Sequence, residues 1–146
     1  MTMRHTVMIG VLALALVASA GSAWAQVAEY KVVGDGIPQS LTGKPGDAQR
    51  GRALLVKRGA ANCLTCHAIK DKDMQPGGKR GPALDGVGAA LTPAQLRLSV
   101  VDFSRVTRGA AMPSFHKSGI GQGDAPKLSA AEVEDCLLYT SPSPRD

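Results

Sequence analysis

Cys63, Cys66 and His67 stand in the order C-x-x-C-H, with Leu64 and Thr65 between the thiols. Two thiols at this spacing can each bond one vinyl group of a single protoporphyrin, and the imidazole that follows then points at its iron. The spacing is the c-type haem attachment pattern; average residue usage produces it by chance in a chain of 146 residues about once in a thousand. Three other uses of the pair compete with it. A structural zinc site needs four ligands, usually from two such pairs. Beyond residue 26 the chain offers only His116 as a second histidine and Cys136 as a third cysteine. A redox-active dithiol wants a βαβ setting, and no strand pattern is present. A disulfide between Cys63 and Cys66 is sterically poor.

The second axial position on the iron decides the chemistry, and Met74, Met112 and His116 are the candidates. Met74 lies seven residues after His67 in a polar loop with Lys72, Asp73, Pro76 and Gly77, too near in sequence to reach the opposite face easily. Met112 lies 45 residues on, within Ala111-Met112-Pro113-Ser114-Phe115. Pro113 forces Met112 into extended backbone, which suits a side chain presented from a loop. Its other use is to fill a gap in the core. Methionine with histidine raises the reduction potential and closes the iron to small molecules, which suits electron transfer; His116 in that place would give a lower potential. Pro82, in Gly81-Pro82-Ala83-Leu84, offers a carbonyl that could accept the His67 ring N–H and fix its tautomer. An ordinary turn explains that segment equally well.

These groups need elements to hold them. Asp47 can cap a first helix over Asp47–Arg58, after the breaker Pro45-Gly46. Ala48, Gly51, Leu54 and Leu55 share one face of it. Gly51 costs about 1 kcal/mol relative to alanine; it is either a tolerated weak position or the place where another helix comes close. Thr92-Pro93-Ala94-Gln95 is a capping box with proline at the first helical position, opening a helix to about Val101. Ser129-Ala130-Ala131-Glu132 is a second capping box. The intervening stretches, Gly59–Leu91 and Asp102–Leu128, read as mostly loop. The predicted fold is all-α: three to four short helices with long loops, which would order poorly without a ligand to pack on.

Residues 1–25 read as a signal peptide, with Arg4 and His5, an apolar run over Val7–Ala18, and the small-x-small site Ala23-Trp24-Ala25. The run falls short of the ~20 residues of a membrane span, so stable membrane insertion is not expected. Residues 26–46 are an extended arm punctuated by Gly34, Gly36, Pro38, Gly43 and Pro45. Residues 47–135 form the single domain. Cys136–Asp146, CLLYTSPSPRD, resembles one translated frame of a transposon adapter used in sequencing libraries and is expected to replace the native C-terminus. Aromatics make up only 3% of the chain, so the small core would gain from a large flat apolar group. The net charge of +5 is scattered, with pairs at Lys57-Arg58 and Lys79-Arg80. It serves either as a solvated surface or as a basic rim that steers acidic redox partners. Without interleaved aromatics it does not suggest nucleic-acid binding.

A GDA-x-x-G helix, CxxCH, GP-x-L and a distal Met-Pro, in that order, resemble class I cytochrome c. The IPQSLTG segment at 37–43, Gly81–Gly88 and Gln95-Leu96-Arg97-Leu98 narrow the resemblance, over roughly Tyr30–Asp135, to the SoxX family. That family is the monohaem subunit of the thiosulfate-oxidising SoxAX cytochrome. The resemblance implies one covalent haem c anchored by Cys63 and Cys66, with His67 as the proximal and Met112 as the distal iron ligand. It implies a periplasmic location and a SoxA-type partner. It further implies indirect service to a SoxYZ carrier, whose cysteine is coupled to thiosulfate, and electron delivery to a small acceptor cytochrome. Such a chain is the electron-transfer subunit of an L-cysteine S-thiosulfotransferase-type heteromer and is not catalytic alone. A free-standing electron shuttle and an open-iron haem enzyme or sensor remain as alternatives. The family's last helix continues past Asp135 and packs next to Gly51; here that stretch differs, with Tyr139 supplying an aromatic. A subunit can lay the arm across its partner, a use that a shuttle lacks.

Overall fold

The computed structural model describes residues 27–118 and 125–140; the stretch 1–25 that reads as a signal peptide and residues 141–146 of the adapter-like string fall outside them. Four α-helices follow one another: α1 (Ala48–Val56), α2 (Val87–Ala90), α3 (Pro93–Val101) and α4 (Ala130–Thr140). Single 3₁₀ turns lie at Cys63–Thr65 and Phe103–Arg105. Among the described residues the only sheet-type pairing is an isolated bridge between Val33 and Gly36.

The caps form as their residue types dictate. Asp47 accepts from the Arg50 N–H at 2.8 Å. Thr92 and Gln95 exchange side-chain and backbone bonds in a complete capping box, and Ser129 and Glu132 do the same ahead of α4. α1 buries Gly51, Leu54 and Leu55, whereas Ala48 in its first turn is exposed. The one-turn α2 lies inside a stretch that reads as loop.

α4 does not stop at Asp135. Cys136-Leu137-Leu138-Tyr139-Thr140 holds no helix breaker, and the first proline comes only at Pro142. Cys136 and Leu137 are buried in the core. The Tyr139 hydroxyl donates to Asp71 at 2.7 Å, and Arg52 of α1 grips the same carboxylate with two bonds. α4 packs along α1 and against α3. The contact with α1 is close because Gly51 lacks a side chain: a Cβ there would collide with the Asp135 carbonyl. Close helix approach is therefore the use of this glycine.

The arm is committed to its own domain. Ile37 is wholly buried and its N–H donates to the Ala94 carbonyl at 2.9 Å. Tyr30, Val32 and Leu41 pack against the core. Arg97 and Glu134, both buried, form a two-bond ion pair at 2.8 and 3.0 Å. Arg97 also donates to the Ile37 carbonyl, and Glu134 accepts the Leu41 N–H. Removing either charge would strand the other in the interior, a loss on the order of 3–5 kcal/mol. The arm is therefore packed onto its own domain, with Lys31, Val33, Asp35, Pro38 and Gln39 left on its exposed side.

Asp135 ties α4 to the start of α1. It accepts the Asp47 N–H at 2.6 Å and two bonds from Arg50 at 2.8 and 2.9 Å. The Arg50 hydrogen bonds hold its carboxyl below the ordinary value of 3.8, against the opposing effect of burial. A depressed folded-state value means that this stabilisation is present above pH 3.8 and is lost as the pH falls through the folded value. Asp135→Asn should therefore lower the melting temperature by several degrees at pH 7. The gap to the parent should close in melts run progressively below pH 3.8.

Candidate functional site

A cavity of about 760 Å³ opens between α1, α3, α4 and the two long loops. Most of its wall is apolar, including Leu55, Leu96, Val100, Phe103, Phe115 and Leu128. Cys63, Cys66, His67, Pro82 and Met112 all line it.

Local backbone explains how the thiols and the ring are presented. Asn62, with φ 46°, is the one non-glycine residue in left-handed conformation among those described. Asparagine tolerates that conformation better than most residues. It turns the chain into the Cys63–Thr65 3₁₀ turn, where the Cys63 carbonyl accepts the N–H groups of Cys66 and His67 at 3.1 and 2.9 Å. The turn brings Cys63 and Cys66 round to one cavity, and His67 follows at once. Three glycines cradle this segment. A Cβ on Gly77 would strike the His67 carbonyl, one on Gly78 the Thr65 carbonyl, and one on Gly81 the face of the His67 ring. Gly77 and Gly78 carry no motif signal; only the close approach of two backbones reveals their role.

His67 Nδ1–H donates to the Pro82 carbonyl at 2.7 Å, since a carbonyl can only accept. The ring is thus held in one tautomer, with Nε2 free of its proton. Pro82 is held opposite by the Gly81 N–H, which donates to the Cys66 carbonyl at 2.8 Å.

Of the three candidates for the second axial position, only Met112 lines the cavity. His116 is wholly buried, and both of its nitrogens are used: Nδ1–H donates to the Leu128 carbonyl at 2.7 Å, and Nε2 accepts the Ala28 N–H at 2.9 Å. It pins the arm and has no lone pair to spare. Met74 lies away from the cavity wall.

The competing uses of the cysteine pair fare poorly. Among the described residues, no three His, Cys, Asp or Glu side chains gather where they could hold a metal ion. Burial pushes the Cys63 thiol up to about 11, the reverse of the depressed value that a reactive dithiol needs. Burial pushes Cys136 higher still. Two thiols, an imidazole and a thioether lining one largely apolar cavity suit a flat macrocycle carrying a metal.

The cytochrome c family model matches residues 48–140 of this chain. Among solved structures, the crystal structure of SoxXA from P. pantotrophus matches with a TM-score of 0.71 and 30% sequence identity, covering 80% of this chain and 96% of that one. No curated protein sequence matches.

Proposed function

Because this chain belongs to the cytochrome c family, and within it to the SoxX type, we propose that it is the electron-accepting subunit of a periplasmic thiosulfate-oxidising pair with a SoxA-type cytochrome. The observation that carries this reading is the convergence of Cys63, Cys66, His67 and Met112 on one cavity, in a chain without a reactive cysteine to hold sulfur.

In this reading Cys63 and Cys66 would hold haem c through thioether bonds, and His67 Nε2 and the Met112 sulfur would ligate its iron. The haem supplies a one-electron carrier. The chain's residues set its working conditions. Pro82 orients the His67 ring through the Nδ1–H bond. Met112 raises the potential and occupies the position that a small molecule would need. The apolar wall keeps water away, which also favours the less charged, reduced state.

Sulfur bond formation belongs to the partner side. Cys136 is buried, and its thiol is pushed far from ionisation by that burial. Coupling thiosulfate to a SoxYZ cysteine releases two electrons; this chain takes them one at a time and passes them to a small acceptor cytochrome. Among the described residues no helix is long and apolar enough to cross a membrane.

A mixing experiment tests the assignment. Oxidised holoprotein is combined with a SoxA-type cytochrome, the SoxYZ carrier and thiosulfate, and its visible spectrum is followed. Reduction of this haem is expected only when all three are present. A haem that stays oxidised, or that is reduced equally without the SoxA-type protein, would leave a free-standing shuttle as the better account.

A further inference from the structure

The loop that presents Met112 is closed at both ends by one carboxylate. Asp102 follows the last residue of α3, and its N–H donates to the Leu98 carbonyl at 2.9 Å. Its side chain is only 6% exposed. Oδ1 accepts the hydroxyl of Ser104 at 2.5 Å and that of Ser114 at 2.6 Å. Oδ2 faces Arg105 Nε at 3.5 Å and Lys117 Nζ at 3.9 Å. Burial pushes this carboxyl up, but the two serine bonds and the two cations outweigh it, and it rests below its ordinary value. It is therefore ionised at neutral pH and accepts from both hydroxyls, and such charge-assisted bonds are the strong kind.

Ser104 and Ser114 bracket a stretch whose Val106, Ala110, Ala111, Met112 and Pro113 all line the cavity. Among the described residues, no hydrogen bond joins 108–113 to another element; the last internal tie before Met112 is a turn from Ala110 N–H to the Thr107 carbonyl at 3.4 Å. Past Met112 the first bonds are the Ser114 hydroxyl to Asp102, then Phe115 N–H to the Val100 carbonyl at 3.1 Å. The thioether is thus carried on a span without ties of its own, and its position is inherited from the two ends. Holding both ends on one atom closes the loop in addition to the backbone bonds of Thr107 to Phe103 and of Phe115 to Val100, and so limits its freedom further.

We propose that Asp102 is the positioning residue for the distal ligand: by clasping Ser104 and Ser114 together it holds the Met112 sulfur at the iron and sets how readily an outside ligand can displace it. The proposal rests on the reading of Met112 as that ligand. Asp102 touches neither the cofactor nor Met112 and acts only through the loop.

Imidazole titration of the oxidised holoprotein tests it, read at the far-red methionine–iron band and compared across variants. Ser114→Ala, which loses one charge-assisted bond, should tighten imidazole binding by about tenfold or more, and Asp102→Asn, which keeps an oxygen acceptor but gives up its charge, should tighten it by a smaller factor. Both should keep covalently bound haem. Ser114→Thr, which retains the hydroxyl, should stay within about threefold of the parent. Should Asp102→Asn fail to fold, the two Ser114 variants carry the comparison. If Asp102→Asn and Ser114→Ala bind imidazole as the parent does, while Met112→Ala binds it freely and loses the band, the clasp is wrong and the ligand assignment stands. If the parent shows no such band and Met112→Ala changes nothing, the ligand assignment fails first.

Discussion

Replacing Cys63 and Cys66 together with alanine should yield a chain that retains no pigment through denaturation and no longer folds cooperatively. The two thiols are the only cysteines beside His67 in the cavity-lining turn. Without them the macrocycle would depend on axial ligation alone and would exchange with solvent. The consequence for folding follows from the core. The cavity measures about 760 Å³ and separates α3 from the loops beneath it. Left empty, its apolar wall would be without a packing partner, a loss that weighs against the ~5–15 kcal/mol that keeps a domain folded. Collapse or flooding would relieve part of the cost, but only by giving up the wall made by Leu96, Val100 and Phe115. Circular dichroism during a thermal melt should show a broad, weak transition in the variant and a sharp one in the parent. A colourless variant with the parent's sharp transition would show that the cofactor is not the core group described above.

Met112→Ala should open the iron. The reduced variant is expected to bind carbon monoxide at once, whereas the parent resists it. The far-red methionine–iron band of the oxidised protein should vanish. The potential should fall on the order of 100 mV or more, within the ~0.8 V range over which axial ligands act. The helical signal should barely change, because Met112 is only half-buried and lies outside every helix. His116 cannot step in: its ring is wholly buried and bonded at both nitrogens. A variant that keeps the band and still excludes carbon monoxide would remove Met112 from the iron.

Much of this site is legible in the chain because its signals are local. C-x-x-C-H, the proline after Met112 and the three capping residues Asp47, Thr92 and Ser129 each act within a few residues of themselves. Their structural expression follows directly: Asp47 and the two capping boxes start α1, α3 and α4. For Gly81–Leu84 the chain allows either an ordinary turn or a Pro82 carbonyl that accepts from His67, and the structure has the 2.7 Å contact. What could not be read is long-range. Arg97 in α3 looks like a solvated side chain until Glu134, 37 residues away, meets it in the interior. Asp102 looks like an ordinary loop acid until Ser114 folds back onto it. The arm reads as free because its anchors, Ala94, Arg97, Glu134 and His116, lie far along the chain. α2 is too short to carry a periodic pattern. α4 runs through Thr140 because tertiary burial of Cys136 and Leu137 extends it as far as the sequence has no breaker.

The arm bears on function as well. Its bonds to α3 and α4 make it part of the domain, so its presence no longer separates a subunit from a shuttle. That distinction passes to the mixing experiment with the SoxA-type cytochrome and the SoxYZ carrier.

The central claim is that a porphyrin is covalently held by Cys63 and Cys66. Its most direct measurement is the intact mass of the purified holoprotein after denaturation in acidified organic solvent. The account predicts a polypeptide heavier by one haem, still coloured, with the added mass on a peptide containing both cysteines. A protein at its bare polypeptide mass, or one whose pigment passes into the solvent, would contradict it.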